Sequence, residues 1–183
     1  MPHIELGNDA PGIRGLMQYR PETGRVLSEL AETLLRDDNT LSRGERELIA
    51  SYVSTLNQCK FCSASHSAFA AAQLPGGMET VVHACSDVDG APVSGKLKAL
   101  LHIAGAVQRL GTEVTEDHVA AAREAGATDV EIHDTVLIAA AFCMYNRYVD
   151  GLGTYAPDAP AAYAHMAEQI VTDGYLARLS PRG

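Results

Sequence analysis

Basic residues are scarce in this chain. Lys and Arg total 14 against 23 Asp and Glu, a formal net charge of -9 at pH 7. Binding to a nucleic-acid backbone draws on a surplus of positive charge, so no nucleic-acid partner is expected. Long apolar runs are missing as well. The longest, Val136 to Tyr145, falls far short of the roughly 20 residues that a membrane span needs. The opening stretch "MPHIELGNDAPGIRGLMQYR" has no basic segment leading into an apolar one, so no secretory signal is expected. The chain therefore reads as cytoplasmic, with no membrane partner. Alternating strand patterns are absent too. With 46% apolar and 20% charged residues, disorder is excluded, and 183 residues suit a single domain, 1–183, with a real core.

What is present is helical periodicity almost throughout, which predicts an all-α fold. Val26 to Arg36 reads as a first amphipathic helix. Ser42-x-x-Glu45 is a capping-box pattern opening a second that runs to about Leu56. A third helix follows Asn57 and runs to Leu74, where "LPGG" stops it. A short helix is expected over Met78 to Cys85, another from Ser94 to Leu110, and one from Thr115 to Gly126. Thr128-x-x-Glu131 is a second capping-box pattern, opening a long helix. Pro160 suits the first turn of a last helix ending near Gly174.

Cysteine is sparse, four in all, and two of the four sit together in "NQCKFCSASHSAF", residues 57–69. In a cytoplasmic protein such residues serve catalysis, metal binding or the core more often than disulfide scaffolding. On a helix, Cys59 and Cys62 lie about 60° apart with His66 between them in projection, so all three share a face. Residues three apart have Cα atoms about 5 Å apart, a separation that a disulfide tolerates. His66, four residues beyond Cys62, is near enough to take or return a thiol proton. The helix start favours a thiolate. On the preceding helix, Glu47 lies off the apolar stripe of Leu48, Ile49, Tyr52, Val53 and Leu56, in line with Ser51 and Ser54. A chain reversal at Asn57 to Gln58 would lay the third helix along that row and bring Glu47 towards His66, where a carboxylate orients an imidazole and raises its basicity.

Other readings of these residues stand beside the redox one. Cys59, Cys62, His66 and Glu47 could make four zinc ligands, although three ligands from one helix is an awkward geometry. The two thiols and the imidazole could also be plain core residues in a structural module. Cys85 and Cys143 have no histidine at helical reach and are expected in the core. His102, His118 and His133 are expected as structural or surface groups. "FCMYNRY", residues 142–148, reads as core and interface, with Arg147 expected in a buried ion pair or else lining a pocket.

Glu47, Cys59 twelve residues on, then Cys62 and His66, form a Glu…Cys-x-x-Cys-x-x-x-His pattern. In this the chain resembles the AhpD-like alkylhydroperoxidases of the carboxymuconolactone decarboxylase superfamily. The segment "RGERELIASYVSTLNQCKFCSASHSAF" is similar to their peroxidase-related subgroup. The specific likeness spans about residues 41–74, and a looser one covers the rest.

The resemblance implies an all-α domain with a helix hairpin carrying the motif. It implies a thiol-dependent peroxidase that reduces hydrogen or alkyl hydroperoxides in antioxidant defence, without metal or organic cofactor. Cys62 would attack the peroxide and become a sulfenic acid, Cys59 would resolve it as a disulfide, His66 would relay protons and Glu47 would be the base behind it. The electrons would come from a lipoyl protein, a thioredoxin-like protein or a small thiol. Assembly as a homo-oligomer, a trimer or hexamer, is implied as well. The founding alkylhydroperoxidase has a second histidine directly before its second cysteine; here that position is Phe61. A dithiol–disulfide oxidoreductase or redox sensor with little peroxidase activity is the alternative function. Decarboxylases of the superfamily lack the cysteine pair.

Overall fold

Local chemistry starts most of the helices in this computed structural model, which describes residues 2–179. The order is α1 (Ile13–Tyr19), α2 (Pro21–Arg36), α3 (Arg43–Leu56), α4 (Lys60–Ala71), α5 (Gly77–Ser86), α6 (Gly95–Arg109), α7 (Glu116–Glu124), α8 (Asp129–Gly151) and α9 (Pro160–Asp173). Short 3-10 turns cover Gly111–Glu113 and Leu176–Leu179. Among the described residues there is no strand, in keeping with the all-α reading. Both expected capping boxes are formed, by Ser42 with Glu45 on α3 and by Thr128 with Glu131 on α8. Each cap of this kind contributes about 1 kcal/mol by satisfying amide donors that the first turn leaves open. A third box opens α7, where His118 at the third position bonds back to Thr115.

α3 is the central element, packed against α4, α6 and α8. Leu48, Ile49 and Val53 on α3 meet Leu100, Leu101 and Ile103 on α6 and Ile138 and Phe142 on α8, all within the larger of two core clusters. The row of small residues lets α4 approach closely, with Ser51 Oγ 2.7 Å from Ser67 Oγ across the contact. The smaller cluster gathers Cys59, Phe61, Cys62 and Phe69 from α4 and its start with Tyr163, Met166 and Ile170 from α9. Among the described residues no helix is long and apolar enough to cross a membrane.

The reversal between α3 and α4 occurs where the sequence expects it, but it costs α4 its first cysteine. Gln58 takes φ 58°, the one non-glycine residue in the left-handed region among those described. Cys59 N–H donates to Ser54 O and Gln58 N–H to Thr55 O, the paired bonds of a Schellman ending. The chain leaves that ending directly into the next helix, so Cys59 is extended (φ -78°, ψ 100°) and serves as its N-cap. The two cysteines thus straddle the helix start instead of both lying within it. α4 also stops at Ala71, a turn before Leu74.

α1 has no counterpart in the sequence reading. Seven residues hold little intrinsic helicity, and this helix exists because it docks, with Leu16 fully buried. Gly12, just ahead of it, sits at φ 55° with the Phe61 ring so close that a Cβ would fall 2.1 Å from the ring. Phe61 therefore anchors α1 over the start of α4.

Candidate active site

Glu47, His66, Cys62 and Cys59 are brought together by the α3–α4 hairpin. Glu47 lies in the interior of α3 and is 1% exposed; its Oε2 is 2.6 Å from His66 Nδ1. A carboxylate acceptor there selects the imidazole tautomer that carries its proton on Nδ1, leaving Nε2 free to exchange a proton. Edge contacts with Phe142 (centroids 4.5 Å apart) and Phe69 (5.1 Å) hold the ring in place. Cys62, one helical turn before His66, is at the third position of α4, within reach of the helix's positive end.

The two thiols are not equivalent. Cys59 is fully buried. Its pKa is driven far upward, first by its hydrogen bond with Cys62 and then by burial, so Cys59 keeps its proton. Cys62 lies on the wall of a cavity of about 140 Å³ that Cys59 does not line. The cavity is bounded by α1, α2, α4, α8 and α9, and apolar groups such as Ile13, Met17, Phe69 and Met166 make most of its surface. Phe61, where the founding enzyme has its second histidine, is part of the same wall.

Tyr175 belongs to the site and was not expected there. Its hydroxyl donates to Glu47 Oε1 at 2.6 Å, so both carboxylate oxygens are engaged. Its ring lies nearly parallel to His66, 13° between planes with centroids 6.4 Å apart. A clamp from α2 holds it. Glu32 Oε2 accepts the Tyr175 backbone N–H at 2.6 Å, Glu32 Oε1 pairs with Arg36 Nε at 3.1 Å, and Arg36 Nη1 donates to the carbonyls of Ile170 and Val171 at the end of α9. Gly174 makes the turn at φ 79°, and a Cβ there would fall 2.6 Å from Glu32 Oε2. No sequence signal links Tyr175 to a carboxylate 128 positions away. The glycine just before it is the one visible hint, since a left-handed turn must follow α9.

The turn bearing Cys59 is pinned from behind. Asn57 Nδ2 donates to Asn146 Oδ1 at 2.8 Å, Gln108 Nε2 donates to Asn57 Oδ1 at 2.9 Å, and Asn146 Nδ2 donates to Ser54 Oγ at 3.1 Å. In "FCMYNRY" it is therefore Asn146, buried to 1% exposure, that serves the site. Arg147 is exposed and bonds the Cys143 carbonyl at 3.1 Å, so it is neither in a buried ion pair nor on the cavity wall. Cys143 is buried beneath Asn57, and Cys85 is half-buried against Ser51 with its thiol pKa raised by burial. His102 and His133 pair with Asp89 and Asp134 at the surface. Among the described residues no three His, Cys, Asp or Glu side chains converge as metal ligands would, and Glu47 already has both oxygens occupied.

Comparison with known proteins gives a consistent result. Residues 21–74, which cover α2 to α4, match the carboxymuconolactone decarboxylase family. The fold is similar to that of a peroxidase-related protein from Ralstonia eutropha JMP134 described as an alkylhydroperoxidase AhpD core. The TM-score is 0.76 at 26% identity, over 86% of this chain and 81% of that one. It is also similar to that of a peroxidase-related protein from Silicibacter sp. TM1040, with a TM-score of 0.75 at 24% identity, over 84% of this chain and 78% of that one. No curated protein gives a significant match. The matched family also includes decarboxylases, so the likeness to alkylhydroperoxidases stands at the level of the superfamily. With the helix order and the hairpin both accounted for, residues 21–74 match the carboxymuconolactone decarboxylase family, and the all-α fold is similar to that of an alkylhydroperoxidase AhpD core.

Proposed function

We propose that the protein is a thiol-dependent peroxidase that reduces hydroperoxides through Cys62 and Cys59. The observation that carries this reading is the asymmetry of the pair: Cys62 meets an apolar cavity, whereas Cys59 is sealed beneath it and held protonated. In the proposed cycle His66 Nε2 takes the Cys62 proton, with Glu47 stabilising the imidazolium through Nδ1 and Tyr175 fixing Glu47. The Cys62 thiolate attacks the terminal peroxide oxygen, the O–O bond breaks, and His66 returns the proton to the departing alkoxide or hydroxide. Cys62, oxidised by two electrons to sulfenic acid, is attacked by Cys59, which releases water and closes the disulfide. An external thiol, from a lipoyl protein, a thioredoxin-like protein or a small molecule, then reduces the disulfide. A homo-oligomer is part of the same reading.

Hydroperoxide consumption in the presence of a dithiol reductant tests it. Cys62→Ser is expected to abolish turnover, and Cys59→Ser to leave a sulfenic acid at Cys62 that dimedone traps. Full activity in Cys62→Ser would refute the assignment. A second reading, a dithiol oxidoreductase or redox sensor with little peroxidase activity, is favoured by Phe61 in the cavity wall. It predicts that weak oxidants and hydroperoxides close the Cys59–Cys62 disulfide equally fast, with no sustained turnover.

A further inference from the structure

Helical hydroxyls in this protein either fold back on their own backbone or bond another side chain, as Ser51 does with Ser67. Thr55 Oγ1 donates to Ser51 O at 2.9 Å, Thr135 Oγ1 to Glu131 O at 2.7 Å, and Ser63 Oγ to Lys60 O at 3.3 Å. Such back-bonding is the ordinary fate of Ser and Thr within a helix. Ser65 departs from it. The residue is 2% exposed, its Oγ is buried, and it has no hydrogen-bond partner among the described residues. Ser65 also lines the cavity at Cys62. Buried polar groups are nearly always paired, because an unpaired one forfeits its bond to water and gains nothing in return. Here the uncompensated hydroxyl belongs to a residue in the wall of a mainly apolar cavity, one helical turn from Cys62.

We infer that Ser65 is a substrate-binding catalytic residue, whose hydroxyl holds the peroxide group against Cys62. This rests on the peroxidase reading above. Cys62 and Ser65 are three apart on α4, so their Cβ atoms stand about 5–6 Å apart on one face. A reacting oxygen needs to lie about 3–3.5 Å from the sulfur, and a hydroxyl bonds an oxygen at about 2.7 Å. A two-oxygen unit lying between the two side chains meets both requirements at once. The Ser65 O–H donates to the oxygen that carries the organic group, which is where negative charge gathers as the O–O bond breaks. The thiolate bonds to the other oxygen. Sulfur gives up two electrons, the O–O bond receives them, and the alkoxide takes its proton from His66 while still hydrogen-bonded to Ser65. A hydrogen bond aimed at developing charge is stronger in the transition state than before it, which is the condition for accelerating a step.

The position also explains how a site with Phe61 in place of a second histidine supplies a donor to the leaving oxygen. A cavity of about 140 Å³ compares with one of about 150 Å³ that accepts benzene. It therefore admits a small organic hydroperoxide such as tert-butyl hydroperoxide, with the tail against Ile13, Met17, Phe69 and Met166.

Two rates on the reduced full-length protein provide the test, each followed by rapid quench and mass spectrometry. One is oxidation of Cys62 by tert-butyl hydroperoxide; the other is alkylation of Cys62 by iodoacetamide, which has no peroxide to hold. Ser65→Ala is expected to slow oxidation by about 10- to 100-fold and to leave alkylation within about twofold. Its thermal midpoint is expected to be unchanged or higher, because the variant removes an unpaired polar atom. Unchanged oxidation overturns the inference. Oxidation and alkylation slowed equally also overturn it, since Ser65 would then act on the thiol or the fold. Wild-type Cys62 oxidised no faster than a free small-molecule thiol such as glutathione overturns the peroxidase reading itself, and this inference with it.

Discussion

Glu47 has two oxygens and two different tasks for them. Oε2 bonds His66 and Oε1 receives the Tyr175 hydroxyl, in a place with almost no solvent. A buried carboxylate with an open acceptor costs about 1–3 kcal/mol and swings towards whatever donor it can find. Tyr175 thus keeps Glu47 aimed at the imidazole. Tyr175→Phe retains the ring stacked on His66 and removes only the donor. The expected outcome is a roughly tenfold loss in kcat/KM for hydroperoxide, equivalent to about 1.4 kcal/mol, with a displaced pH profile for Cys62 alkylation. An unchanged profile would assign Tyr175 to packing alone. Glu47, His66 and the cysteines were legible because they sit on adjacent helices at short separations. Tyr175 was not, since nothing local marks which side chain a distant turn delivers.

Helix termini carry much of the information in this fold. The ending of α3 places Gln58 in the left-handed region, which lets one residue, Cys59, close one helix and open the next. At the other end of the molecule, Glu131 caps α8 and does more. Its carboxylate accepts from Lys96 on α6 at 2.7 Å, from Thr40 ahead of α3 at 2.8 Å, and from the Thr128 amide at 2.7 Å. Burial would raise its pKa from 4.5, but Lys96 and the other donors outweigh burial and hold it at about 2. A carboxyl depressed on folding stabilises the native state above its unfolded pKa and loses that contribution as pH falls through the folded value. The contribution is about 3 kcal/mol above pH 4.5, declining towards pH 2. Glu131→Gln is expected to cost about 2–3 kcal/mol at pH 7 in urea denaturation, with the gap from wild type narrowing below pH 4.5. A gap that stayed constant down to pH 3 would contradict this.

Across the whole molecule, one apolar feature is left over. Val130, Leu137 and Met144 recur every seventh residue on α8 and are all substantially exposed. A stripe at that spacing suits packing against another helix. We propose that it contributes to a homo-oligomer, in which apolar contact must offset the repulsion between chains of net charge -9. Sedimentation equilibrium at tens of micromolar is expected to give a trimer or hexamer, and Leu137→Glu with Met144→Glu to give a smaller species. A monomeric wild type would remove the proposal.

Helix periodicity, the capping boxes at Ser42 and Thr128, and the Glu47–Cys59–Cys62–His66 spacing follow from the amino-acid order alone. Each depends on interactions within a few turns or across one short reversal, so neighbours in sequence are enough to specify them. Tertiary structure decided the rest. It docked α1, too short to be stable alone, by laying Phe61 over Gly12. It made Cys62 the thiol that meets the cavity and Cys59 the sealed one, left the Ser65 hydroxyl without a partner among the described residues, and brought Tyr175 to Glu47. Burial, cavities and unpaired donors are properties of surfaces that meet from distant parts of a chain, and no local pattern encodes them.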